Sequence, residues 1–259
     1  MKSAQQESCL SMPLFVERTG RFAALSVLAA GLAGCQSVAG IQPVSQVRVI
    51  DVSPDAPALD IYRNSPQNSA TGLYNIGFGT VSSYIPVAAG TYTNVAYTAG
   101  TQQELATVRG TFATDSQYTV LAGNIAANLH MTVLKDQSFP APAGQVAMRF
   151  LDQATRAGTV DIYLLPPGAA LSGASPIESG VGFGGNGGYI DVPSGTYSIV
   201  VLSSGTVPSV AALPLYTGSQ VSYSSGSAHT ILLIDRPSAT APGLQVVTAD
   251  DYDPSSVGS

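Results

Sequence analysis

Residues able to do chemistry are few and scattered in this chain of 259 residues. The glycines of GFGGNGG (182–188) fit G-x-G-x-x-G, the turn that cradles a dinucleotide pyrophosphate. That chemistry needs a strand before the glycines, a helix after them and an acidic residue further on. Here they run into YIDVPSGTY (189–197), which alternates like a strand ending in a turn, and the related stretch GFGTVS (77–82) lacks the third glycine. The motif therefore reads as a hairpin connection, with Gly77, Gly79, Gly182 and Gly184 supplying positive φ or a bulge. No nucleotide is expected.

Asp51, Asp55 and Asp60 in DVSPDAPALD are oxygen donors close enough together to suggest Ca²⁺. The related stretch DQATRAGTVD (152–161) has Arg156 where the first has Asp55, which excludes a cation site in both. The reading favoured is structural: Ser53-Pro54-Asp55-Ala56-Pro57 orders a turn. Asp60 and Asp161 hydrogen-bond near a strand end, paired with Arg48 and Arg149. Asp250, Asp251 and Asp253 in TADDYDPSS read as a solvated acidic end. No metal or other cofactor is expected.

Nucleophilic catalysis finds no constellation. There is no G-x-S-x-G elbow. The two histidines, His130 and His229, take different places, His229 aligning with Tyr118. After residue 35 only Glu104 and Glu178 could form a glutamate pair for glycoside hydrolysis. No catalytic residue is named and no enzyme is expected. Tyr84 with Tyr189, and Tyr92 with Tyr197, recur in related contexts. They read as half-buried packing residues with the hydroxyl at an edge, Tyr92 and Tyr197 as corner residues.

The elements that must hold these residues are strands. Charged residues make up 10% of the chain and hydrophobic ones 45%, so a core can form but amphipathic Lys/Glu-faced helices cannot dominate. QYTVLAG, MTVLK, TYSIVVL, HTILLID and LQVV are short, β-branched and bounded by Gly, Pro, Asn or Ser. Three blocks recur in one order: VRVIDVSPDAPALDIY with MRFLDQATRAGTVDIY, GFGTVSSYIPVAAGTY with GFGGNGGYIDVPSGTY, and YTVLAGN with HTILLID. This pattern predicts two tandem copies of about 100 residues, joined near FPAPAGQ (139–145). The fold class expected is all-β, two β-sandwich domains of Ig-like or transthyretin-like topology. The first spans residues 46–140, the second 141–249, with an acidic tail at 250–259. A net charge of −6 without a basic cluster beyond Arg21 argues against nucleic acid.

At the N-terminus Arg18 and Arg21 precede an apolar run from Phe22 to Ala33, too short to span a bilayer and typical of a secretory signal. Leu32-Ala33-Gly34-Cys35 resembles the lipobox of bacterial lipoproteins. That resemblance implies cleavage before Cys35, diacylation of its sulfur and acylation of the new amine. Residues 1–34 would be the signal peptide, 35–45 the lipidated cysteine and a tether. Gln36, which is not Asp, implies by the same analogy an outer-membrane location. Met12 is an alternative start to Met1 and would discard Cys9. The mature part then has no thiol for a disulfide or metal. The recurring blocks resemble the bacterial family called domain of unknown function 4397, most closely in VRVIDVSPDAPALDIY, FGTVSSYIPVAAGTY and YTVLAGN. The resemblance implies an exported β-sandwich without an established activity. Members often have His at the Asp51 position, so no His-dependent role transfers. The function expected is a lipid-anchored envelope module with a non-catalytic binding or structural role, its partners the membrane and an envelope protein or glycan. The alternative is a carbohydrate- or peptide-binding accessory subunit of an envelope enzyme or uptake system.

Overall fold

The computed structural model describes residues 44–64, 72–185, 187–236 and 243–253; the leader, Cys35 and most of the tether lie outside them. The regular structure of the described residues is strand, apart from one 3₁₀ turn at Ala126–Asn128. Short β-branched runs alternate with glycine turns, so helices have neither the length nor the periodicity to form. No helix among the described residues is long and apolar enough to cross a membrane.

The strands make four main sheets. In the first half, β4 (Ile85–Ala88), β1 (Val44–Asp51), β7 (Gln117–Gly123) and β8 (His130–Asp136) lie side by side in that order. Facing them are β3 (Leu73–Ile76), β2 (Leu59–Arg63), β5 (Gly90–Thr98) and β6 (Glu104–Phe112). The second half has the corresponding order: β12 (Ile190–Pro193), β9 (Gln145–Asp152), β16 (Ala228–Asp235) and β17 (Leu244–Tyr252). These face β11 (Glu178–Val181), β10 (Val160–Leu165), β13 (Gly195–Ser203) and β14 (Tyr216–Thr217), with β15 (Val221–Tyr223) also pairing with β13. Register corresponds too. β1 runs parallel to β7 with Arg48 opposite Thr119, and β9 runs parallel to β16 with Arg149 opposite Thr230.

Each sandwich has its own core. Val47, Val49, Leu59, Ile61, Phe112 and Val120 meet in the first; Met148, Phe150, Ile162, Val201, Ile231 and Leu233 meet in the second. A third core joins them: Ile50, Val52, Leu121 and Leu134 pack against Leu151, Leu232, Ile234 and Ala249. The layers therefore run outer, inner, inner, outer, and the central strands of the inner sheets, β1, β7, β9 and β16, are buried on both faces. This accounts for the unbroken apolar runs in β7 and β16, since a strand covered on both sides has no solvent face to reserve for polar residues. The segment between β8 and β9 joins two halves that are packed face to face. The strand β17 runs through Tyr252, so Asp250 and Asp251 belong to the inner sheet and not to a tail.

Candidate functional site

Between the inner sheets lies a cluster of buried charge. Val47 and Val49 point into the first core, so by strand alternation Arg48 points away from it, toward the other half. Its Nε donates to Thr119 Oγ1 at 2.8 Å, Nη1 to the Asp250 carbonyl at 2.8 Å, and Nη2 pairs with the Asp251 carboxylate. The second half answers. Arg149 Nε donates to Thr230 Oγ1 at 3.1 Å, Nη1 to the Lys135 carbonyl at 3.1 Å, and Nη2 pairs with Asp136 Oδ1 at 2.6 Å. Thr119 and Tyr84 both donate to Asp136 Oδ2, at 2.6 and 2.8 Å; Thr230 and Tyr189 both donate to Asp251 Oδ2, each at 2.7 Å. The Arg48 and Arg149 guanidinium carbons each lie 4.7 Å from the ring centroid of Tyr84 or Tyr189, within cation–π range.

Two cations face two anions, so the cluster is neutral as a whole and its polar atoms are satisfied. Burial alone would lower the Arg48 pKa; the carboxylates of Asp251 and Asp136 and the Tyr84 oxygen outweigh that and raise it. The guanidinium thus stays charged, while burial raises the Asp251 carboxyl against the opposing pull of Arg48. Burial and the Asp136 carboxylate push the Tyr84 phenol well above its usual range, so it acts as a donor.

Several expectations are corrected here. Asp60 does not pair with Arg48, nor Asp161 with Arg149. Leu59 and Ile61 point into the core, which sends Asp60 to the opposite outer face from Arg48. Asp60 accepts the backbone N–H groups of Asn75 and Gly100, both at 2.8 Å; Asp161 accepts those of Gly180 at 2.8 Å and Gly205 at 3.1 Å. All four donors sit at positive φ, so each carboxylate ties down two left-handed turns at a strand end. Asp251 is buried against Arg48 and not solvated, whereas Asp250 and Asp253 are exposed as expected, Asp250 also meeting His229 Nδ1 at 2.8 Å.

Asp51, Asp55 and Asp60 do not converge. Asp51 Oδ1 accepts the Ser53 N–H at 2.9 Å, and Asp55 Oδ1 accepts that of Ala126 at 2.7 Å. No group of three His, Cys, Asp or Glu side chains among the described residues is clustered for a metal ion. Asp51 and its counterpart Asp152 each leave one buried oxygen without a partner. Burial raises their carboxyls to about 7 and about 6, against the opposing hydrogen bonds from Ser53 and Ala154. Tyr92 and Tyr197 do form corners, donating to the carbonyls four residues back, Ala88 at 2.9 Å and Pro193 at 2.8 Å.

The glycine loop is tied to the inner sheet. Gly184 N–H donates to the Asp152 carbonyl and Gly79 N–H to the Asp51 carbonyl, both at 2.8 Å, with φ of 73° and 74°. Gly77 and Gly182 do not take positive φ. Beyond these shared anchors the halves part. Phe78 packs into the core between the sandwiches, whereas Phe183 stays 47% exposed at the mouth of a cleft of about 280 Å³. The cleft opens where β7 and β9 end. Gly123 lines it at the position held by the buried Ile234 in the other half, and Gln153 at the position held by Val52. Thr132, paired with Leu121, lines it where Val247, paired with Leu232, packs on the other side. One position is thus plugged by Ile234, Val52, Val247 and Phe78; the other is open and polar. A Cβ on Gly123 would lie 2.6 Å from Gln153 Oε1, so the glycine is what admits the amide. Sequence reasoning passed over these residues. The available signal was the mismatch of aligned pairs, Gly123 against Ile234 and Gln153 against Val52.

Residues 45–163 match a family model described as "Domain of unknown function (DUF4397)". The matched stretch holds Arg48, Tyr84, Thr119, Asp136 and Arg149 but stops short of Tyr189, Thr230 and Asp251. No curated protein matches the chain. Among solved structures it is similar to a streptococcal virulence factor described as binding alpha-glucan, at 12% identity and TM-score 0.25, over 73% of this chain and 92% of that one. It is also similar to the family CBM26 module of Eubacterium rectale Amy13K in complex with maltoheptaose, at 12% identity and TM-score 0.23, over 82% and 99%. A third is a putative cell adhesion protein from Bacteroides ovatus, at 11% identity and TM-score 0.22, over 81% and 97%. Likeness at these scores supports no statement about a ligand.

Proposed function

We propose that the protein is a lipid-anchored cell-envelope protein of two tandem β-sandwich modules, acting as a non-catalytic binding component and held to the outer membrane through Cys35. The lipobox-like Leu32-Ala33-Gly34-Cys35 and the short apolar leader support the anchor. The observation that carries the binding role is the cleft, open at Gly123 and Gln153 and plugged at the corresponding Ile234 and Val52. Packing alone would fill both positions alike, because a void forfeits contacts on every side. The residues lining the cleft include one imidazole, His130, and no carboxylate, lysine or arginine, a set suited to holding a molecule and poor in proton donors and acceptors for turning one over.

The anchor is tested by palmitate labelling and membrane fractionation: wild type carries label and sediments with membranes, and Cys35→Ser does neither. An unlabelled or soluble wild type would remove it. The binding role is tested by thermal shift with a solubilised envelope extract. The extract should raise the melting temperature of wild type and leave unchanged that of a variant carrying Gly123→Ile, Thr132→Val and Gln153→Val. Equal shifts in both would count against the cleft.

A further inference from the structure

We infer that the cleft between the sandwiches takes a neutral saccharide, one ring stacked on Phe183 and its hydroxyls read by Gln153, Thr132, His130 and Asn124. The inference rests on the reading of the cleft as a binding site and adds the class of ligand. Three observations carry it. The first is charge: no lysine, arginine, aspartate or glutamate lines the cleft, so an anionic or cationic ligand would enter without a counter-ion. The second is hydrogen bonding. The side chains of Gln153, Thr132 and His130 have no hydrogen-bond partner among the described residues, while the neighbouring charge cluster is fully paired. Gln153 is only 9% exposed, yet its amide is not sealed off: it reaches the cleft, where a ligand or water can complete its hydrogen bonds. An amide, a hydroxyl and an imidazole offer donors and acceptors in close succession, which is what a ring of hydroxyls demands.

The third is shape. The floor is apolar, formed by Leu121, Leu134 and Leu151, and Phe183 stands at the rim on a glycine loop with room on its open side. Pyranose rings present C–H faces to an aromatic and hydroxyls at their edge, so one apolar wall and one polar wall suit them. An apolar peptide side chain would leave Gln153 and Thr132 unpaired, and a peptide terminus would bring charge that nothing here meets. A volume of about 280 Å³ lies at the lower end of ligand sites, enough for the end of a chain and not for a long stretch of it.

The test is calorimetric titration of the detergent-solubilised full chain with maltotriose, cellotriose and triacetylchitotriose, alongside trigalacturonate and N-acetylphenylalaninamide. At least one neutral trisaccharide should bind. Phe183→Ala, a change at an exposed rim that leaves the fold intact, should weaken it by about tenfold or more. Gln153→Val should abolish it, and trigalacturonate should bind more weakly than the neutral sugar. Absence of binding by all three neutral sugars, or unchanged affinity in Phe183→Ala, overturns the inference. Binding of N-acetylphenylalaninamide in place of the sugars overturns it too, while leaving the cleft a binding site. Loss of the anchor in the palmitate experiment would bear on the envelope reading and not on this one.

Discussion

Apart from the cleft, the two halves agree on the inside, and they differ most on the outside. The first outer sheet is closed by β6, nine residues paired along β5. In the second, residues 204–215 intervene after β13, and only the two residues of β14 and the three of β15 return to pair. That insertion bears Val207, Val210 and Leu213 at 75, 95 and 88% exposure, while Ala212, with Leu171 and Ala174, covers Tyr163, Leu165, Val200 and Leu202. The first half's outer face instead carries Tyr62, edge-on to Tyr74 and Tyr97 at 5.5 and 5.6 Å. The inner sheets keep the same Arg, Thr, Tyr and Asp because each arginine finds its aspartate across the seam, and the Thr and Tyr of each half hold that aspartate in place. An outer sheet, covered on one face only, has no such obligation.

The comparison breaks most readily at the charge cluster. Arg48→Met and Arg149→Met should each lower unfolding free energy by about 3–5 kcal/mol in urea titrations, since each strands a buried carboxylate. Costs that differ widely would show the correspondence to be geometric only. Arg48→Met combined with Asp251→Leu should cost less than Arg48→Met alone, because no charge is then left unpaired.

Asp51 and Asp152 sharpen the comparison through pH. The native carboxyls titrate near 7 and 6, while the unfolded ones titrate near 3.8. Between these values the native state keeps a proton that the unfolded chain has lost. Their contribution is therefore complete below about pH 4 and is lost as pH rises through about 7. At about 1.4 kcal/mol per pKa unit, Asp51→Asn should raise stability at pH 8 by roughly 2–4 kcal/mol and Asp152→Asn by less. Stability that climbs with pH in wild type and in both variants alike would contradict this.

Next come the turn clamps. Asp60→Ala and Asp161→Ala each strand two backbone N–H groups and should cost about 1–3 kcal/mol by denaturant titration. Faster amide exchange should appear at Asn75 and Gly100 in one variant, and at Gly180 and Gly205 in the other. The smallest effect belongs to the corners: Tyr92→Phe and Tyr197→Phe should each lose about 1 kcal/mol, measured by thermal unfolding.

Much of the fold was legible in the sequence. Gly and Pro mark the turns, and β-branched alternation marks the strands. The recurrence of Gly-Thr-Tyr pointed to Tyr92 and Tyr197 as corners. What escaped was the stacking of the halves, because apolar side chains on both faces of β7 and β16 look the same whether the second cover is another sheet or the same core. The pairing of Arg48 was misjudged for a related reason: proximity in sequence favoured Asp60, while alternation along β1 and β2 sends the two to opposite faces. Asp251 looked solvated because nothing local reveals that a guanidinium some 200 positions earlier arrives beside it. The cleft is a property of three strand ends and a loop, and shows in sequence only as unlike residues at matching positions.

The bond between Arg48 in the first strand and Asp251 in the last has a temporal meaning. As the polypeptide emerges amino end first, every strand of the leading sandwich can be present while the Arg48 guanidinium has Asp136 of its own half 3.9 Å away but still lacks Asp251. Until β16 and β17 arrive, Ile50, Leu121 and Leu134 also lack the Leu232, Ile234 and Ala249 side chains that cover them. One ion pair thus makes the cover of the earliest strand wait upon the latest.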